Sequence, residues 1–162
     1  MPFVLVMGVA GSGKTTVAQA LAARLGWPLL EGDSFHPPAN VAKMAGGTPL
    51  ADDDRWPWLR AIAAGMDGVR ARGGSAVVAC SALKRAYRDI LAAPDVRIVH
   101  LAGDAATIRA RLERRAGHFM GARMLDSQLA TLEPPAAAEG AIVLPVDWPV
   151  ERIVATVAAA VG

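Results

Sequence analysis

The residues with the plainest chemical purpose stand near the start of the chain. Gly8-Val9-Ala10-Gly11-Ser12-Gly13-Lys14-Thr15 fits the pattern G-x-x-x-x-G-K-[ST] at every fixed position. Glycines at this spacing let successive backbone N–H groups turn inward, and a helix opening at the lysine adds its partial positive charge. The ligand of such a cradle is a polyphosphate. Lys14 can bridge β- and γ-phosphates, and the Thr15 hydroxyl can hold a Mg²⁺ ion. Gly8 to Thr15, with Thr16 after them, are the expected nucleotide contacts.

A second group follows soon after. Glu31 and Asp33 stand two apart behind a short apolar run, so both can face one cleft. Phosphoryl transfer needs an acceptor hydroxyl held in line, metal ligands, and cations over the moving group. One of these carboxylates can reach the metal shell and the other the acceptor hydroxyl. Asp33 can alternatively cap the turn before Pro37-Pro38. Further along, Ser81 and Lys84 follow an apolar run that ends at Cys80. Cys80 reads as a small buried residue rather than a nucleophile, Trp56 and Trp58 as packing residues, and His100, inside an apolar run, as structural.

Elements must bring these residues together. Apolar runs at Phe3–Met7, Pro28–Leu30, Ser75–Cys80, Val96–Leu101 and Ala141–Val146 read as five strands. Helical patterns cover Lys14–Leu25, Asn40–Ala45, Asp52 to about Arg72, Lys84–Leu91, Asp104 to about Arg115, about Arg123 to Leu132, and Val150–Val161. Gly26 suits a helix C-cap, and Asp104 an N-cap. Strands alternating with helices predict an α/β fold with a parallel sheet covered on both faces. Ligands of such sheets bind at the carboxyl ends of the strands, where the cradle, Glu31, Asp33, Ser81 and Lys84 all fall.

Composition narrows the field. A length of 162 residues predicts one domain, 1–162. One cysteine excludes an internal disulfide scaffold. Seventeen basic against fifteen acidic residues leave a net +2, interspersed rather than blocked, so no nucleic-acid surface is expected. Mean hydropathy is +0.31, yet no apolar stretch approaches a membrane span, and the N-terminal run lacks a basic leader. A soluble cytoplasmic protein is the expectation. A guanine-reading N-K-x-D is missing, since the only asparagine is in Asn40-Val41-Ala42-Lys43. A compact kinase of a small acceptor is favoured.

The middle of the chain is more diagnostic than the cradle. Gly32-Asp33-Ser34-Phe35-His36-Pro37, Asn40, Lys43-Met44, Gly47, Pro49-Leu50, Asp52-Asp53-Asp54-Arg55 and Pro57-Trp58-Leu59 resemble the gluconokinase family. So do Cys80 through Asp89, Gly117-His118-Phe119, Met124-Leu125, Gln128 and Leu132-Glu133-Pro134, which carry the likeness to about Pro149. The resemblance implies a three-layer αβα P-loop kinase fold, a five-stranded parallel sheet of order 2-3-1-4-5 and a short lid, about 116–122. It implies ATP and Mg²⁺ as cofactors, D-gluconate as acceptor at its 6-hydroxyl, and a possible homodimer.

Site roles follow from the same likeness. Asp33 would orient the hydroxyl and take its proton, and Glu31 would stand with Thr15 by the metal. Gluconate carries a carboxylate, and arginine grips one bidentately where lysine offers a point charge. His36, Arg55, Ser81, Lys84, Arg88 and His118 are the substrate-side candidates. His36 can instead cap its turn, and Arg55 can pair with Asp52 to Asp54 on a solvated face. Arg111 and Arg115 resemble the arginine pair of nucleoside monophosphate kinases, the first on adenine, the second on phosphates. Arg115 joins Lys14 and Asp33 as catalytic. Arg114 lies outside the pattern and receives no role. Asp147 and Pro149, after the last strand, are placed at the adenine.

Overall fold

The computed structural model describes residues 2–114 and 119–162. Five strands, β1 (Phe3–Met7), β2 (Leu29–Glu31), β3 (Ala76–Ala79), β4 (Val96–Ala102) and β5 (Ile142–Pro145), form one sheet in the order β2-β3-β1-β4-β5. Every pairing is parallel. The helices are α1 (Lys14–Leu25), α2 (Pro38–Ala45), α3 (Asp52–Ala71), α4 (Arg85–Leu91), α5 (Ala105–Glu113), α6 (Phe119–Thr131) and α7 (Val150–Val161). Short 3₁₀ turns at Gly32–Phe35 and Ala137–Glu139 complete the order.

The inner strands β1 and β3 are apolar and buried throughout because both faces are covered. Along β1 the side chains alternate between two cores. Val4 and Val6 join Val17, Leu21, Ile108, Leu112, Ile153 and Val157 from α1, α5 and α7. Phe3, Leu5 and Met7 join Trp58, Leu59, Ile62, Met66 and Tyr87 from α3 and α4. This is the expected three-layer arrangement. No helix among the described residues is long and apolar enough to cross a membrane.

Several boundaries sharpen the sequence reading. Gly26 takes the left-handed conformation at the end of α1, and the Asp104 side chain accepts from the Thr107 N–H at 2.7 Å. α2 starts at Pro38, ahead of Asn40, because proline suits a first helical position. α6 starts at Phe119, ahead of Arg123. Residues 119–122 of the expected lid are therefore helical, while 116–118 lie outside the described residues. Gly121 stands inside this helix, where glycine costs only about 1 kcal/mol relative to alanine. Burial of Leu125 from the same helix offsets that.

Candidate phosphoryl-transfer site

The central strand delivers the cradle. β1 ends at Met7, residues 8–13 turn back, and α1 opens at Lys14. Gly11 has φ +81°, and a Cβ there would lie 2.7 Å from Leu112 Cγ. Only glycine satisfies both the backbone and the close approach of α5. Ala10 donates its N–H to Gln128 Oε1 on α6 at 2.5 Å.

Neighbouring strands bring the carboxylates level with it. Glu31 pairs with Ala79, and Ala79 with Val6. Three strand ends thus stand side by side. Thr15 Oγ1 donates to Glu31 Oε2 at 3.1 Å. A hydroxyl and a carboxylate so placed are hard oxygen donors suited to Mg²⁺, which keeps several waters and uses few protein ligands. Asp33 follows on the 3₁₀ turn, exposed at the rim. The turn is pressed onto β3, since a Cβ on Gly32 would stand 2.5 Å from the Ala79 carbonyl oxygen. Trp58 Nε1 secures it by donating to the Gly32 carbonyl at 2.7 Å.

His36 stacks on Trp58, with centroids 4.2 Å apart and planes 13° from parallel. Its Nδ1 is 3.3 Å from Asn40 Nδ2, which also donates to the Asp54 carbonyl at 2.8 Å. With Nδ1 accepting, the neutral ring keeps Nε2–H as a donor. Burial pushes the His36 pKa down, with Asp33 opposing and Arg55 reinforcing. The ring is thus fixed by Trp58 and Asn40, within electrostatic reach of Asp33 and Arg55. Cys80 is fully buried and its thiol is pushed up to about 12, so it is no nucleophile at neutral pH.

Arg55 and Lys84 converge from α3 and the loop before α4. Lys84 Nζ lies 3.2 and 3.3 Å from the Asp52 carboxylate oxygens, and Arg55 Nη1 lies 3.7 Å from Asp52. Tyr87 ties them: its hydroxyl donates to Asp52 and accepts from Arg55 at 2.7 Å. The Tyr87 hydrogen bond, then that of Lys84, hold the Asp52 pKa low, and Asp52 holds that of Lys84 high. Ser81, half-buried after Cys80, lines the same loop. Asp52 and Tyr87 are site residues that motif reading left aside, because their side chains meet only across 35 residues of chain.

Arg88 requires a correction. Its side chain is 1% exposed and pairs with Glu139, itself 6% exposed, at 2.6 Å. Nε and Nη2 bond to the Glu139 carboxylate, Nη1 to the carbonyls of Ala82 and Leu83, and Nη2 also to the Glu133 carbonyl. Every guanidinium donor is taken. Arg88 therefore binds no substrate and instead braces the loop that carries Ser81 and Lys84. That loop contains Ala82 at φ +45°, a conformation that costs a side chain about 1–2 kcal/mol.

On the far side of the cradle, α5 and the segment after β5 bound a cavity of about 520 Å³ lined by Ala106, Thr107, Ala110, Arg111, Arg114 and Asp147. Arg111 Nη1 donates to the Val146 carbonyl at 2.6 Å. The structure thus joins Arg111 and Asp147 as the sequence suggested, and adds Arg114, which it had set aside. Pro149 caps α7 just beyond. Arg115 and His118 lie outside the described residues.

A phosphate cradle on the central strand, carboxylates on its flank and a basic cluster beyond them define a P-loop kinase for small acceptors. A family profile described as an AAA domain matches residues 3–135. The gluconokinase of Gluconobacter oxydans is 53% identical over 135 residues, 82% of this chain and 76% of that one. The chain belongs to the gluconokinase family. Among solved structures, a gluconokinase from Sinorhizobium meliloti superposes with a TM-score of 0.88 at 43% identity, covering 99% of this chain and 91% of that one. A sugar kinase from a Janibacter species gives 0.91 at 47%, covering 98% and 93%.

Proposed function

We propose that this chain transfers the γ-phosphoryl group of ATP to the 6-hydroxyl of D-gluconate, giving 6-phospho-D-gluconate and ADP. The observation that carries the choice of acceptor is the convergence of Arg55 and Lys84 on one carboxylate, that of Asp52, at the rim that bears Asp33. A cation pair already suited to one carboxylate favours a sugar acid over a neutral sugar.

Gluconate enters with its carboxylate toward Arg55 and Lys84 and its far end toward Asp33. His36 Nε2–H and Ser81 offer hydrogen bonds to hydroxyls along the chain. The 6-hydroxyl proton passes to the Asp33 carboxylate as the oxygen bonds to phosphorus and the bond to the ADP oxygen breaks. Lys14 and the cradle N–H groups hold the phosphates, and Arg115 stabilises charge on the moving group. A Mg²⁺ ion between Thr15 and Glu31 would supply neutralising charge for the β- and γ-oxygens. His118, in the expected lid, adds a polar contact as water is excluded. Arg111, Asp147 and Pro149 seat the adenine.

A coupled assay with ATP against gluconate, shikimate, glucose and nucleoside monophosphates tests the reading. Turnover on gluconate well above the others is expected. Turnover on another acceptor, with none on gluconate, overturns it.

A further inference from the structure

We propose that Gln128 is a positioning residue for the transfer step, and that α6 sets the separation between the donor and acceptor loops. This rests on the gluconokinase reading above. The Ala10 N–H belongs to the cradle, and its acceptor is a side chain 118 residues away. Just past the C-terminal end of the same helix, two residues beyond Thr131, Glu133 holds the acceptor loop. Its N–H donates to the Leu83 carbonyl at 2.8 Å, its carboxylate accepts from the Arg85 N–H at 3.0 Å, and its carbonyl accepts from Arg88 at 2.9 Å. One helix and its C-terminal extension thus grip both loops within five residues of each other.

The grip is braced from the nucleotide side. Arg109 on α5 pairs with Asp126 on α6 at 2.6 Å. Leu112 of α5 rests against Gly11. The cradle is therefore bounded by a helix pair whose polar link to its backbone is Gln128. The residue type fits the place. A backbone N–H beside a triphosphate needs an acceptor without charge, and a carboxamide supplies one where a carboxylate would repel the phosphates. In-line transfer is sensitive to such placement, since an error of about 1 Å can cost about a hundredfold in rate.

Two variants test this in the full chain. Gln128→Met keeps length and removes the acceptor; Gln128→Glu keeps the acceptor and adds charge. Steady-state kinetics are read with the ratio of ADP formed to phosphorylated acceptor formed and with thermal melting. Gln128→Met is expected to lose about 10- to 100-fold in kcat, with KM for gluconate little changed. Its ADP-to-product ratio should rise above one as water competes for the phosphoryl group. A purely structural role would not move that ratio in a folded variant. Gln128→Glu should raise KM for ATP with melting unchanged. Wild-type kcat and a ratio of one in Gln128→Met overturn the proposal. If Gln128→Met fails to fold, an unaltered KM for ATP in Gln128→Glu overturns it alone. The wild type is assayed first. If it phosphorylates another acceptor, the gluconate reading falls and the Gln128 comparison proceeds on that acceptor. A wild type inert on every acceptor overturns both.

Discussion

At Lys84 a single ammonium serves an internal carboxylate, Asp52, and on our reading a substrate carboxylate during turnover. Arg55 shares both duties. Two cations against one anion leave one excess positive charge, which matches a monocarboxylate. Replacing Lys84 by Met should therefore raise KM for gluconate by about tenfold or more, because a charge-assisted contact is lost. KM for ATP should stay put, and unchanged gluconate KM would count against the carboxylate assignment. Asp33 acts on the other end of the acceptor. Asp33→Asn keeps the shape of the 3₁₀ turn but loses the proton acceptor, so kcat should fall about 10²- to 10⁴-fold. Nucleotide affinity measured by calorimetry should be unaffected. Legibility at this scale divides by distance along the chain. The cradle, Glu31 and Asp33 could be read because each motif is contiguous and each follows a strand. Arg88 was misread because its partner Glu139 lies 51 residues away and no local pattern announces a buried pair. Gln128 could be noticed as part of a family motif, but its bond to Ala10 exists only in the folded chain.

Among the elements, the loop from Ser81 to Lys84 has the most demanding support. It holds Ala82 in the left-handed region, and Arg88 of α4 clamps the carbonyls of Ala82 and Leu83. Arg88→Met leaves Glu139 charged and buried without its partner. Breaking such a pair costs about 3–5 kcal/mol, whereas replacing both members by apolar residues is often close to neutral. Urea denaturation should show Arg88→Met strongly destabilised and the double variant Arg88→Met with Glu139→Leu substantially restored. Equal loss in both would mean that the hydrogen bonds to the loop carbonyls, not the ion pair, dominate. The fold itself was largely open to reading. Five apolar runs separated by helical periods admit few arrangements once crossovers are right-handed. What escaped were the ends and the small pieces. The 3₁₀ turns at Gly32–Phe35 and Ala137–Glu139 are too short to carry a period.

Taken as a whole molecule, the chain responds to pH through groups whose charge the fold opposes or secures. Among the described residues, Lys43, Arg70 and Arg109 are paired with Asp54, Asp95 and Asp126. On the acid side, burial pushes His36 and His100 down, while hydrogen bonds from Arg70 and Arg88 hold Asp95 and Glu139 down. Each folded pKa lies below its unfolded value, so the unfolded chain binds more protons and stability is lost as pH is lowered. The loss begins below about 6.5 through the histidines and continues below about 4 through the carboxylates. On the alkaline side the sign reverses. Cys80 is fully buried and pushed up to about 12, whereas an unfolded thiol ionises near about 8.5. Its contribution is complete below about 8.5 and is lost as pH rises toward 12, at up to about 1.4 kcal/mol per pH unit. Cys80→Ala removes the thiol and leaves a cost that does not vary with pH. Unfolding free energies of wild type and Cys80→Ala measured from pH 7 to 10.5 should therefore converge, the wild type losing its advantage above about pH 8.5. Parallel curves would show that the thiol ionises in the folded chain as readily as in the unfolded one, and that β3 does not seal it from water.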